Sequence, residues 1–398
     1  MENLSHSVVA LTIGEIVHRV LPNESDADTQ GLRRKIFLFV SLICANFPDL
    51  DIVLVNTLPE PLGYLLHHRG HTHTFVYLIP QGLLVFSLLY IFSKKFKSYV
   101  MKGRAKLLGV ALCIVFNLLA HIGLDSLNSY GIHPFYPFNN NWLYGDLVFI
   151  VEPFFWVAFG APLISSFESI WTKATLALFI TVVPISLTLM DYLPIGSTLI
   201  LMALGGGLFY LQNKTKVLGL LASFVTLAVF LSTLSSKREE AKSVYLNTIK
   251  APEEELVEIS LHPTPTQYHC WQFSSLSREG EIINVTRGML SLNKVEECPI
   301  AFKAMSPVVE SNSNFILYSR EKMKLSELKN LYSENCFFKA WTKFARIPVV
   351  KEIKAWDARF QRGERPDNFS TIYFDKFDKT SCPSYLPPWS TPIKNLFI

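Results

Sequence analysis

Apolar residues run uninterrupted for long stretches through the first 235 positions, then give way to short alternations. Crossing the ~30 Å hydrocarbon core of a bilayer takes about 18–20 apolar residues in a helix. Runs near that length lie at about 4–21, 36–55, 75–92, 107–125, 147–165, 174–193, 197–211 and 217–235. Two depart from an ideal span: 197–211 is short and holds Gly205-Gly206-Gly207, and 4–21 contains Glu15, His18 and Arg19. From Ser236 onward the chain is more polar, with strand-like alternations such as Leu256-Val257-Glu258-Ile259 and Asn314-Phe315-Ile316-Leu317-Tyr318 broken by proline and glycine. That pattern predicts a mainly β domain with some helix near 322–346. The expected fold is mainly α: a polytopic transmembrane helical bundle of seven or eight spans over 1–235, then a C-terminal extracytoplasmic, mainly β domain over 236–398.

Charge then orients the spans. Lysines and arginines concentrate in the short loops that stay cytoplasmic. Loop 22–35 carries three (Arg33, Arg34, Lys35), loop 93–106 carries six, loop 166–173 carries Lys173, and loop 212–216 carries Lys214 and Lys216. The alternate loops, 56–74, 126–146 and 194–196, hold Arg69 alone. Twelve against one predicts that the first set is cytoplasmic and the second faces outward, which carries 236–398 outside as well. The cysteines agree. Cys44 and Cys113 lie in apolar runs, as core residues do, whereas Cys270, Cys298, Cys336 and Cys382 all fall in the polar third. Four there permit two disulfides on an oxidising side, and no CxxC spacing suggests a zinc ribbon.

Composition narrows the class. Charged residues make up 18% of the chain, against roughly 25% in soluble domains. A net charge of +4 gives no basis for nucleic-acid binding. The opening MENLSHSVVA lacks a basic lead and a small-residue cleavage site, so no cleavable signal peptide is expected.

Ionisable groups near bilayer depth are costly, about 2.5–3.5 kcal/mol each at a helix centre, and mark function when they recur. Here Asn46-Phe47-Pro48-Asp49-Leu50-Asp51 ends the second span, and four histidines (His67, His68, His71, His73) precede the third. His121 and Asp125 end the fourth span, with Asn128-Ser129-Tyr130-Gly131 beyond, and Asp146 and Glu152 flank the start of the fifth. With the predicted threading, every one of these ends lies at the outer face, and a full first crossing brings His6 there too. Each motif has a plainer meaning alone: Asp49 and Asp51 as helix caps, His121 and Asp125 as an i, i+4 hydrogen bond, Arg69 as an interfacial arginine. Their common side favours a metal site. Imidazole and carboxylate without thiolate suit Zn²⁺, with Mn²⁺ or Fe²⁺ as alternatives, and the number of candidates admits one ion or two. Such a centre acidifies a water and clamps a phosphoryl or acyl oxygen. Asp51 or Asp146 is the candidate general base, and Arg69 the candidate phosphate partner.

These boxes also carry a resemblance. Pro48-Asp49-Leu50-Asp51, His68-Arg69-Gly70-His71-Thr72-His73-Thr74, His121-x-x-x-Asp125-x-x-Asn128-Ser129-Tyr130-Gly131, Pro137-Phe138 and Gly145-Asp146 ahead of Glu152-Pro153 resemble the membrane-bound metal-dependent hydrolase family called YdjM-like or LexA-regulated. The resemblance covers about residues 1–160. It implies metal ligation by His68, His73, His121, Asp125 and the aspartates Asp49 and Asp51, with His6 matching the histidine that opens the family pattern. His71 stands where the family usually has an apolar residue, and Glu152 where it usually has aspartate. A distant similarity of the family to zinc-dependent phospholipase C implies a phosphoester substrate. Pro263-Thr264-Pro265 ahead of Trp271, and Asp357-x-Arg359-Phe360, resemble an outer β domain that some members carry.

Three function classes follow. The first is a hydrolase acting on a lipid-borne or envelope phosphoester in the plasma (inner) membrane. The second is a non-catalytic metal-binding sensor or accessory, its β domain binding a partner. The third is a di-iron lipid oxygenase, disfavoured because such enzymes use more histidines and face cytosolic electron donors. An intramembrane zinc protease is the least favoured class, because no HExxH occurs.

Overall fold

The computed structural model describes residues 1–215, 217–304, 306–363, 367–374 and 382–397; Lys216 of the charged loops lies outside them. Among the described residues ten α-helices come first: α1 Asn3–Val20, α2 Ala27–Asn46, α3 Leu62–His67, α4 Phe75–Phe92, α5 Lys94–Val100, α6 Arg104–Asp125, α7 Pro153–Ile164, α8 Ile170–Leu189, α9 Ile195–Lys214 and α10 Leu218–Thr248. Among the described residues six helical segments are long and apolar enough to cross a membrane: Ala27–Thr57, α4, α6, α8, α9 and α10.

The chain divides into two compact units. The first comprises Met1–Leu50, Thr72–Leu127 and Ile150–Ser232. Within it α1 packs on α2, α6 and α7, and α7 packs on α8 and α9. Small residues set the closest approaches: a Cβ at Gly14 would lie 2.7 Å from Ser41 Oγ, and one at Gly109 would lie 2.5 Å from the Phe37 ring. Charges in α1 are matched rather than exposed to lipid. Glu15 accepts from Arg19 Nε at 2.7 Å and from Arg34 Nε at 2.8 Å, and Arg33 Nη2 donates to the His18 carbonyl at 2.9 Å. Asp26 starts α2 as its N-cap, accepting from the Thr29 N–H at 2.7 Å.

The run expected over 147–165 is helical only from Pro153, because Glu152 caps the helix and proline favours its first turn. Its 12 residues extend about 18 Å, short of the hydrocarbon thickness. The run expected at 197–211 extends over the 20 residues of α9.

The second unit comprises Asp51–His71, Asn128–Phe149 and Thr233–Ile398. Its main sheet is antiparallel in the order β1-β2-β3-β5-β4: β1 Glu255–Pro263, β2 Cys270–Glu279, β3 Ile282–Ser291, β4 Glu310–Ser311 and β5 Phe315–Lys324. A three-stranded sheet follows, with β6 Pro348–Lys351, β7 Lys354–Asp357 and β8 Ile372–Tyr373. Short helices Leu325–Glu334 and Cys336–Trp341 fill the region where helix was predicted. β3 is buried on both faces over nearly its whole length. The core combines Leu276, Val285 and Trp341 with Leu62 and Leu66 of α3 and with Tyr130. Cys270 pairs with Cys298 and Cys336 with Cys382, while Cys44 and Cys113 stay free and buried in α2 and α6.

Candidate metal centre

In the first unit, helix ends far apart in sequence converge. Pro48 follows the end of α2 and delivers Asp49; Thr74 caps α4, accepting from the Tyr77 N–H, with His73 just before it; α6 brings His121 and Asp125 one turn apart. One donor atom from each of Asp49, His73, His121 and Asp125 lies within 4.8 Å of the others. His73, His121 and Asp125 are almost wholly buried.

The contacts set the direction of the rings. His121 Nδ1 lies 2.6 Å from the Ala45 carbonyl, which can only accept, so that nitrogen carries the proton and Nε2 bears the lone pair. His121 Nε2 and His73 Nε2 then face each other at 3.0 Å, and His73 Nδ1 meets Thr72 Oγ1 at 3.0 Å. Asp125 Oδ2 stands 3.1 Å from His73 Nε2, and its Oδ1 stands 3.2 Å from His6 Nε2; the Met1 amino group also meets Asp125. His6 stacks on His121 with ring centroids 4.1 Å apart. One turn before His121, Asn117 donates to Ser41 Oγ at 2.9 Å, tying α6 to α2 beneath the cluster.

The donor set fits a divalent ion. Asp49 Oδ1 is buried without a hydrogen-bond partner, 3.4 Å from His73 Nε2 and 3.6 Å from His121 Nε2. Two imidazoles and two carboxylates turned on one another, with Asp49 Oδ1 left without a hydrogen-bond partner, are a donor set that could hold such an ion. Nδ1–H donation to a backbone carbonyl is the usual orienting contact of a metal-bound histidine.

The second unit holds the remaining candidates. His68 Nδ1 lies 3.0 Å from Asp51 Oδ1, and the Arg69 backbone N–H donates to Asp51 Oδ2 at 2.8 Å. That contact holds Arg69 in a left-handed conformation, φ 58°, which few non-glycine residues adopt. The Arg69 guanidinium is buried over the Tyr130 ring and donates to Asn128 Oδ1 at 3.0 Å. The histidine-rich box is thus sorted into four environments. His73 joins the cluster and His68 pairs with Asp51, whereas His67 meets Thr57 Oγ1 and His71 packs on Tyr136 and Trp389.

Two acidic candidates have structural partners. Asp146 accepts from Arg346 Nη1 at 2.7 Å and from Ser260 Oγ at 3.1 Å, so it is an ion-paired carboxylate. Glu152 accepts from the Phe154 N–H as the N-cap of α7. Sequence reasoning did not find Arg346, nor the role of Arg359, which binds Asp357 and donates to the Ser129 carbonyl, holding loop 128–149 within its unit. The Asp357-x-Arg359 pattern was the only signal for it.

Comparison with known proteins bears on the same part of the chain. Residues 1–195 match the family described as YdjM inner membrane protein. The Bacillus subtilis (strain 168) protein described as "Uncharacterized protein YfhP" is 25% identical over 121 residues, 30% of this chain. The match covers 34% of that protein's length, about a third of the curated relative. No solved structure matches the chain.

Proposed function

We propose, from the match of residues 1–195 to the YdjM inner membrane protein family, that this multi-pass membrane protein is a metal-dependent hydrolase acting on a lipid-borne or envelope phosphoester at the extracytoplasmic face. The observation that carries the reading is the mutual approach, within 4.8 Å, of donor atoms from Asp49, His73, His121 and Asp125. These four would hold the ion, with Zn²⁺ first among the metals such donors suit and Mn²⁺ or Fe²⁺ next. When bound, a divalent ion of this kind supplies Lewis-acid polarisation of a phosphoryl oxygen and acidifies water.

The protein's own groups take the other roles. Ala45 fixes the His121 tautomer, and His6 steadies Asp125 through its second oxygen. Proton transfer falls to the His68–Asp51 pair in preference to Asp146, which Arg346 and Ser260 occupy. Arg69, buried over Tyr130, is the phosphate-recognising cation of this reading. A lipid-like substrate is supported by a groove of about 680 Å³ in the second unit, lined by Ile52, Val55, Pro61, Tyr64, Phe369 and Tyr373. Tyr64 also stacks on His68 with centroids 5.0 Å apart, which sets the proton-transfer pair beside that groove. Outward placement is supported by the loop charge bias and by two disulfides, which persist on oxidising sides of membranes.

Full-length protein in detergent, assayed against phospholipids for headgroup release, tests the reading. His121→Ala is expected to lose both ion and turnover, and His68→Ala to lose turnover while retaining the ion. Full turnover in both variants refutes the assignment. Stoichiometric metal without hydrolysis of any lipid-linked phosphoester transfers the chain to the non-catalytic class.

A further inference from the structure

The β domain contains a polar recess that the hydrolytic reading does not use. Its walls include His262 of β1, Gln272 of β2, Arg287 of β3, Tyr318 of β5, Arg359 and Gln361. Strand register explains the assembly: His262 lies opposite Gln272, Ser274 opposite Arg287, and Arg287 opposite Ser319. A bulge at Arg287/Gly288 opens the sheet there, and Gly288 is required because a Cβ would lie 2.3 Å from the Ile316 carbonyl oxygen.

Arg287 is 8% exposed and, among the described residues, has no ion-pair partner within 4.0 Å. Its Nη2 donates to the Gln361 carbonyl at 2.6 Å. Arg359, by contrast, is neutralised by Asp357. Around Arg287 stand further unsatisfied atoms: Gln272 Nε2, His262 Nδ1 and Ser319 Oγ are buried without hydrogen-bond partners. Burial lowers the Arg287 pKa to about 10, a sign that desolvation outweighs the nearby negative charge. A buried cation beside an unpaired amide donor is costly to keep unless something negative joins it. The recess measures about 20 Å³, room for roughly one water or one oxygen of an anion whose remainder stays at the mouth, and far too little for a sugar or an acyl chain.

We propose that this recess binds a small oxyanion, a phosphate or carboxylate group, through the Arg287 guanidinium and the Gln272 amide. The site is separate from the metal cluster in its residues and does not depend on the hydrolase reading. Arg287 offers the planar pair of donors that both anions accept, and Gln272 Nε2 adds a neutral donor.

The test uses full-length protein in detergent, stripped of metal with a chelator so that Asp49, His73, His121 and Asp125 cannot hold phosphate through an ion. Inorganic phosphate and acetate are titrated separately by calorimetry; whichever binds more tightly identifies the source of the anionic group. The expected result is saturable binding of one anion per chain, weakened at least tenfold in Arg287→Met and several-fold in Gln272→Leu. Arg287→Met removes charge at nearly constant shape, so its melting temperature should hold or rise while binding is lost. A merely structural arginine would give the reverse, a lower melting temperature with binding intact. If Arg287→Met does not fold, Gln272→Leu decides alone. Absence of saturable binding by both anions, or undiminished binding in the folded variants, overturns the site. Loss of hydrolysis in metal-site variants leaves this titration unchanged, so the two readings fail separately.

Discussion

Asp125→Asn keeps the shape of the side chain at the hub of the cluster and removes one negative charge. All four donors lie within 4.8 Å of one another, so an ion among them is no farther than about that from the carboxylate. At that separation and an effective dielectric of about 20, a divalent ion and a single charge attract by about 7 kcal/mol, or about 10⁵ in affinity. The retained amide oxygen and partial screening reduce this, leaving an expected loss of at least about 10³-fold. In the metal-free protein two effects oppose each other: the amide relieves an Asp49–Asp125 repulsion of about 3.5 kcal/mol on the same arithmetic, and it gives up the buried ion pair with the Met1 amino group. The reading that isolates the ion is therefore the rise in melting temperature when metal is supplied, which is expected to be smaller in Asp125→Asn than in wild type. The assay is elemental analysis after dialysis against graded chelator, with melting curves in parallel. An Asp125→Asn variant that holds its ion as tightly as wild type, and gains the same thermal protection from it, refutes the cluster as the metal seat.

Four further outcomes are expected. Arg346→Ala leaves Asp146 buried and uncompensated and should cost about 3–5 kcal/mol, read as a lower melting temperature, while metal content per folded molecule stays at wild type. Replacing Cys270 and Cys298 by serine opens a loop of sequence separation 28 and should cost about 3–4 kcal/mol of stability in denaturant. His262 titrates at about 4 because burial disfavours its charged form. The unfolded chain takes up that proton first, so the group costs no stability above its ordinary pKa of about 6.5 and progressively more as pH falls to about 4. Since the residue as a whole is only part-buried, His262→Gln should flatten this loss by about 1–2 kcal/mol, measured as melting temperature against pH. Accessibility labelling should find single cysteines in loop 126–146 open to an impermeant reagent from outside and those in loop 93–106 closed; the reverse pattern refutes the proposed orientation.

Much of the bundle was legible because a bilayer permits few solutions. Apolar runs of fixed length must be helices, and alternation of their direction brings every second end together. That logic drew His6, Asp49, Asp51, His68, His73, His121 and Asp125 toward one centre; the structure groups Asp49, His73, His121 and Asp125, sets His6 against Asp125, and pairs His68 with Asp51 instead. Partners set by tertiary packing were not legible. Asp146 looked like a free carboxylate because Arg346 lies 200 residues away, and nothing local in the sequence links them. Within the box at 67–73, spacing alone did not separate His73, which meets the cluster, from His68, whose partner Asp51 lies 17 residues earlier. The four C-terminal cysteines admit three pairings on composition alone, and the sheet and its following helix select Cys270–Cys298 and Cys336–Cys382. The short α7 was hidden because hydropathy ignores capping, and Glu152-Pro153 sets the helix start inside an apolar run.

Whether Asp49, His73, His121 and Asp125 share one ion is tested most directly by X-ray absorption spectroscopy on the metal-loaded, full-length protein. The expected first shell is nitrogen and oxygen at about 2.0–2.2 Å, with multiple scattering from two imidazoles and no sulfur. A shell containing thiolate, or one without imidazole scattering, would place the ion elsewhere and contradict the assignment.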